Sequence, residues 1–273
     1  MIPTGRPFYK MSGSGNDFVM VDARDQGRGD LGRADVIRRI CARGTGVGAD
    51  GIVFLEPSAL AAVRLTYLNA DGTRADFCGN ATLCTARLSV ELRVGAPDGF
   101  DIETDSGVVR ARLSGGRPEI DLQPVTDANA RVADIPLEHA ERRIGFALVG
   151  VPHLVIEVDD ISTVDVVGRG RPLRSHPSLA HGANVNFVAR RPDGVWRIRT
   201  YERGVEAETL ACGSGSVATA IMLTTWGLVS GPVDLETSSG QVVTVSLRRS
   251  GEGWFPSLRG EGRVVYQATL AEA

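Results

Sequence analysis

Lysine is almost missing from this chain of 273 residues: Lys10 is the only one, and every other basic side chain is arginine. The phosphate loop of nucleotide-binding folds needs a lysine after its glycines, so that motif is excluded. Pyridoxal catalysis needs a Schiff-base lysine, and Lys10 sits beside an expected strand with no phosphate-binding loop next to it, so pyridoxal phosphate is not expected. Long apolar runs are missing too. Nothing approaches the ~18 residues of a membrane span, and the opening "MIPTGRPFYK" lacks the apolar centre of a secretory signal. Positive charge is not in excess: 30 Lys and Arg face 33 Asp and Glu, and the formal net charge is −3. No basic field therefore draws the protein to nucleic acid or an acidic membrane, and neither is an expected partner. Cysteine is scarce, with four residues, no Cys-x-x-C pair and no His/Cys set at metal spacing. Thioredoxin-like redox chemistry and a structural zinc are excluded on that ground, and no metal or cofactor is expected. The remaining expectation is a cytoplasmic globular protein whose thiols stay reduced.

What is there is a repeat. "DFCGNATLCTA" (76–86) and "LACGSGSVATA" (210–220) share Cys-Gly, small polar residues and an apolar run. Thirty residues before Cys78 lies "GADGIVF", and thirty before Cys212 lies "GANVNFV". Tyr67 and Tyr201 each stand eleven residues before their cysteine. Downstream, "DIETDSGVVRARL" (101–113) pairs with "DLETSSGQVVTVSL" (234–247), and "FYKMSGSGNDFVMVD" (8–22) matches "IGFALVGVPHLVIEVDD" (144–160) more loosely. The chain thus reads as two homologous halves, residues 1–123 and 124–263, with the proline-containing stretch 123–141 as the connection. The closing "GRVVYQATL" reads as a strand, and 264–273 is a candidate to complete the first half.

Each half has the same order. β-Branched runs ("FVMVD", "IVFLE"; "LVIEVDD", "VNFVAR") and alternating runs ("VRLTYLN"; "WRIRTYE") predict strands. A cysteine and a helix follow, and residues 213–227 are apolar nearly all round, as in a helix buried on most sides. Val36, Ile37, Ile40 and Cys41 mark one face of a short amphipathic helix. The expected class is α/β (α+β): two pseudo-symmetric halves, each a mostly antiparallel sheet or barrel around a central helix. Gly46, Gly48 and Gly51 fit G-x-G-x-x-G, but the run follows a helix and precedes a strand, the reverse of a dinucleotide fingerprint.

A cysteine at a helix N-terminus has its thiolate stabilised by unpaired N–H groups. A free thiol of pKa near 8.5 is about 3% ionised at pH 7. A helix terminus brings that value toward ~7 or lower. Gly79 and Gly213 open the backbone to a ligand, and the N–H groups of Gly79, Asn80, Gly213 and Ser214 suit a carboxylate. Two equivalent thiols beside a carboxylate cradle match one task, inversion at a stereocentre, where one base removes a proton and the other returns one from the opposite face. Cys41 and Cys84 read as core residues. His139, His176 and His181 fall in polar stretches and read as solvent residues, whereas His153 corresponds to the loop before "FVMVD".

With these motifs the chain resembles the diaminopimelate epimerase family: "KMSGSGNDFVMVD", "GVGADG", "YLNADGTRADFCGN", "VPH", "TYERG" and "ETLACGSGS" stand in that family's order and spacing. The resemblance implies two halves, each wrapping a central helix, with the active site in the cleft between them. It implies epimerisation of LL-2,6-diaminopimelate to the meso form without a cofactor, on the route to lysine and peptidoglycan precursors. Carried over, Cys78 and Cys212 are the base/acid pair, and Gly79, Asn80, Gly213 and Ser214 the carboxylate cradle. Glu202 lies near the reacting ammonium and His153 near the thiols. Asn16, Asn69, Asn184 and Arg203 complete the polar set, Arg203 suiting a distal carboxylate. The partner is a small amino acid; the sequence does not fix the oligomeric state, and a homodimer is the assembly to test.

Several positions depart from the pattern. Gly51 stands where the family often has Gln, and Val151 where it often has Asn. Ala81, Thr82 and Leu83 replace Gly, Ala and Arg, and Glu206 with Ala207 replaces a single Gly. Gly51 and Val151 leave one alternative open: a cofactor-independent racemase of the same family acting on another amino acid.

Overall fold

Residues 5–138, 140–251 and 253–271 are described by the computed structural model; His139 lies outside them. The chain forms two units, Met1–Ile120 with Arg259–Ala273, and Asp121–Leu258.

The first unit opens with an antiparallel hairpin, β1 (Pro7–Gly13) and β2 (Asn16–Asp22). Its turn places Ser14 at φ 53, a left-handed conformation unusual for a residue with a side chain. Then come α1 (Ala34–Cys41), β3 (Gly51–Glu56), β4 (Val63–Asn69), β5 (Arg74–Ala75), α2 (Gly79–Glu91), β6 (Phe100–Thr104), β7 (Gly107–Ser114) and β8 (Arg117–Asp121). β3 joins β2 in parallel and β6 joins β4 in parallel; the other pairings here are antiparallel. The second unit repeats the order. After β9 (Ala128–Asn129), its hairpin is β10 (Glu141–Val149) and β11 (Val151–Val158). There follow α3 (Val166–Arg174), β12 (Asn184–Arg190), β13 (Trp196–Glu202), β14 (Ala207–Thr209), α4 (Gly213–Thr225), β15 (Val233–Glu236), β16 (Val242–Ser250) and β17 (Gly253–Arg259). Parallel pairs recur at the same places, β11 with β12 and β13 with β15. Among the described residues of the connecting stretch, β9 pairs with β10 and Val125 forms an isolated bridge with Trp254. The last strand, β18 (Arg263–Thr269), lies antiparallel to β1 in the first unit.

Alternation along the strands puts one set of side chains against an outer helix. In the first unit Val19, Val21, Ile52 and Phe54 form a core with Val36, Ile37, Ile40 and Cys41 of α1. In the second, Leu154, Ile156, Val185, Phe187 and Tyr201 pack with Val166 and Leu173 of α3. The sequence reading contains no α3, because two glycines and a proline interrupt "VVGRGRPLR". Gly170 is a contact rather than a break: a Cβ there would lie 2.6 Å from that of buried Tyr201.

The central helices are enclosed. α2 packs against β1, β4, β7 and β18, and α4 against β10, β11, β12 and β16. Every residue of α4 from Gly215 to Leu223 is buried. Each fully buried Val, Leu or Ile contributes roughly 1.5–3 kcal/mol, so Val217, Ile221 and Leu223 hold α4 without any amphipathic stripe. Both cysteine-bearing helix starts are thereby fixed by rigid packing. Among the described residues no helix is long and apolar enough to cross a membrane.

Candidate active site

Cys78 and Cys212 are the N-caps of two 13-residue helices, with φ/ψ of −142°/113° and −135°/109°. An extended cap followed at once by glycine starts each helix, whose first N–H groups have no partner within the helix. Neither helix has an acidic residue in its first turn, so no carboxylate of the helix itself offsets its positive end. The hydroxyl four residues on binds the cysteine carbonyl in both cases, Thr82 and Ser216 each at 2.9 Å. Cys212 Sγ accepts the Gly215 N–H at 3.4 Å and lies 3.6 Å from Ser214 Oγ. None of the four cysteines is in a disulfide. Cys78 is half-buried and Cys212 is 9% exposed. The other two are core residues: burial pushes the Cys41 thiol up to about 11 and the Cys84 thiol well above its ordinary value.

Around the start of α2 the polar groups form a chain. Asn80 Nδ2 donates to Asn16 Oδ1 at 2.7 Å, and Asn16 Nδ2 donates to Asp50 Oδ2 at 2.9 Å. Arg43 clamps Asp50 at 2.7 Å and Asp17 at 2.6 Å. Lys10, 8% exposed, donates to Asp17 at 2.6 Å and to the Gly48 carbonyl. Burial pushes the Asp17 carboxyl up, but Arg43 and Lys10 outweigh it and hold it below its ordinary value. The sole lysine is thus an internal strut. Asn80 Oδ1 is buried with no hydrogen-bond partner among the described residues, an acceptor beside the cradle. Asn69 ends β4, and its Nδ2 donates to Thr73 Oγ1 at 3.0 Å. Opposite it in register is Gly51. A Cβ on Gly51 would meet the Tyr67 ring at 2.5 Å and the Leu68 carbonyl. Tyr67 stands edge-on to Phe18 there, ring centroids 5.7 Å apart, so an aromatic pair fills the space a side chain at 51 would need.

In the second unit Asn184 Oδ1 accepts the Arg203 N–H at 2.7 Å, and Arg203 Nη1 donates to the His181 carbonyl at 2.6 Å. Glu202 accepts from Thr209 Oγ1 at 2.8 Å; burial raises its carboxyl against that hydrogen bond. Glu206 adopts φ 58°, and its carboxylate gathers the Gly204 N–H at 3.0 Å and Arg174 Nε at 2.8 Å. It thereby pins the turn carrying Glu202 and Arg203 to the end of α3. His176 pairs with Ser178 at 2.8 Å near the surface.

His153 is a correction to the loop placement. It lies inside β11, paired with Asn184, and is completely buried. Asp50 and Asn184 each stand two residues after the matched glycines 48 and 182, so register makes Asp17, the aspartate of "GND", the counterpart of His153; the correspondence holds, and only the loop label changes, because both residues lie in strands. Burial first, and the Arg203 charge second, drop the His153 pKa to about 3, so its ring is neutral. Asn186 Nδ2 lies 3.2 Å from His153 Nδ1, and Thr200 Oγ1 donates to Asn186 Oδ1 at 2.9 Å. Sequence reasoning missed Asn186, Thr200, Asp17, Arg43 and Asp50. Asp17 and Asp50 sit in the quoted "GND" and "GAD" motifs, which was the available signal; Asn186 and Thr200 reveal themselves only by burial.

A chain folded as two like units around cysteine-capped helices belongs to a known structural class. The fold is similar to that of a Bacillus anthracis phenazine biosynthesis protein of the PhzF family (TM-score 0.72, 16% identity, covering 97% of this chain and 98% of that one). It is also similar to a hydroxyproline epimerase from Agrobacterium vitis (TM-score 0.67, 18% identity, covering 98% and 92%). Sequence narrows the class. The diaminopimelate epimerase family profile matches residues 8–124 and 145–256, one stretch per unit. A diaminopimelate epimerase from Gemmatimonas aurantiaca is 48% identical over 274 residues, covering 97% of this chain and 99% of the relative. The chain belongs to the diaminopimelate epimerase family.

Proposed function

We propose that this protein is an isomerase that epimerises LL-2,6-diaminopimelate to the meso form with no cofactor, as a step toward lysine and peptidoglycan precursors in the cytoplasm. The supporting observation is the duplicated cap: two thiols, each at the start of an enclosed helix with no acid in its first turn. One cysteine, as thiolate, takes the α-proton. The other, as thiol, delivers a proton to the opposite face, and the roles exchange in the reverse direction. The charge that develops on the substrate carboxylate meets the N–H groups of Gly79, Asn80, Gly213 and Ser214, donors already oriented by helix geometry. Glu202 takes the ammonium. Asn16, Asn69, Asn184 and His153 complete the polar lining, and Arg203 takes the distal carboxylate as a paired contact.

The alternative substrate suggested by Gly51 and Val151 is not favoured, because a relative 48% identical over 97% of the chain is a diaminopimelate epimerase. The test is α-proton exchange into deuterated water with LL-diaminopimelate and reduced enzyme, nothing else added. Exchange with conversion to the meso form supports the reading; its absence from folded, reduced protein overturns it. Light scattering of the same sample tests the homodimer.

A further inference from the structure

His153 presents a puzzle of donors and acceptors. It is completely buried, and its Nε2 has no partner among the described residues. Its other nitrogen faces Asn186 Nδ2 at 3.2 Å. Which ring nitrogen carries the proton depends on which end of the Asn186 amide points at it. The Leu154 carbonyl settles that end. The same Nδ2 lies 2.8 Å from the Leu154 carbonyl, which only accepts, so that atom must be the NH2 group. On the far side, Thr200 Oγ1 donates to Oδ1. The amide cannot flip without setting its oxygen against the Leu154 carbonyl. Asn186 therefore donates to Nδ1, and the ring hydrogen sits on Nε2.

We propose that Asn186 is a positioning residue that locks His153 as the Nε2–H tautomer, so that the ring offers the substrate a hydrogen-bond donor and carries no proton in the reaction. This rests on the epimerase reading only for the identity of the substrate. Buried polar groups are nearly always hydrogen-bonded, so a buried N–H with no partner among the described residues is open to a bound ligand. The lock is also tied to the cysteine. Gly215, whose N–H reaches Cys212 Sγ, packs so closely on Asn186 that a Cβ there would collide with Oδ1. One amide thus spaces the His153 ring from the first turn of α4.

The test is nitrogen-15 NMR of the histidine-labelled full-length enzyme. Two-bond correlations distinguish protonated from bare ring nitrogens, and the signal lost in His153→Gln assigns the residue. A protonated Nε2 with a bare Nδ1, unchanged between about pH 8 and pH 5, is the expected result; a protonated Nδ1 in the wild-type enzyme overturns the proposal whatever the activity. Asn186→Asp replaces the donor with an acceptor and should move the proton to Nδ1. It should lower kcat about tenfold with KM nearly unchanged, the worth of one hydrogen bond in the transition state. Thr200→Val, which keeps the shape and leaves the Leu154 carbonyl in place, should keep the Nε2–H tautomer. A folded Asn186→Asp with the wild-type tautomer and kcat refutes the lock; if that variant does not fold, a protonated Nδ1 in Thr200→Val refutes it instead. The absence of any α-proton exchange in wild type would refute the epimerase reading instead, leaving the tautomer result to stand or fall by itself.

Discussion

Replacing Cys212 by serine should separate stability from turnover. Cys212 caps α4 through a sulfur 3.4 Å from the Gly215 N–H, a long contact to a weak acceptor. Serine is among the best N-caps, worth about 1 kcal/mol over alanine, and its hydroxyl can make the same bond. Against that gain stands the loss of a polarizable sulfur from a site only 9% exposed, a cost also on the order of 1 kcal/mol. The two nearly cancel, so the melting temperature should stay within about 3 °C of wild type. The chemistry has no such compensation. A hydroxyl is a far poorer acid and base than a thiol near neutral pH, and loss of an acid–base partner costs about 10²–10⁴ in rate. That is roughly 3–5 kcal/mol of barrier, much more than the change in folding. Cys78 remains to attack one face, so exchange of the α-proton from one epimer should outlast inversion. The assay is proton NMR in deuterated water, run separately from the LL and meso substrates, with a thermal melt of the same sample. Epimerisation above about a tenth of wild type would refute the role of the thiol as base. A melting temperature lowered by more than about 6 °C would refute the account of the cap.

Three further outcomes are expected. The folded-state pKa of His153 lies at about 3 against 6.5, so the stability it confers is present above pH 6.5 and is lost as pH falls toward 3. Urea titrations over that range should show an added slope approaching ~1.4 kcal/mol per pH unit, absent in His153→Leu. Gly170→Ala should destabilise by about 1–3 kcal/mol in urea despite alanine's better helix propensity, because its Cβ meets that of Tyr201 at 2.6 Å. Glu206→Gly suits the left-handed backbone and should keep the melting temperature. It releases the turn from Arg174 and should raise KM for diaminopimelate a few-fold with kcat little changed, an effect Glu206→Gln should share in part.

The repeat made most of the architecture legible. Landmarks at equal distances from Cys78 and Cys212 gave the order of strands and helices in both units, and "VRLTYLN" and "WRIRTYE" coincide with β4 and β13. The two cysteine caps were readable because small residues after Cys-Gly and an enclosed apolar run are local features. What escaped was non-local. The ionic cluster of Lys10, Asp17, Arg43 and Asp50 joins three separate segments, and although Asp17 and Asp50 stand in quoted motifs, no spacing shows that they meet. α3 was hidden because Gly170 reads as a breaker until Tyr201 is seen against it. His153 was misplaced because a proline and a polar residue look like a turn, whereas β11 runs straight through them.

The paired helix starts have different surroundings. The asparagine after Cys78–Gly79 leads through Asn16 to the Asp50 and Asp17 carboxylates and the Arg43 guanidinium; the glycine after Cys212–Gly213–Ser214 leads through Asn186 to an uncharged imidazole. An assembly of two identical short subunits could never hold such a difference, since one gene would have to write both environments alike. Joining the copies in a single polypeptide released each from the other. On the proposed reaction, natural selection could then adjust the two sulfurs independently, one for each hand of the substrate.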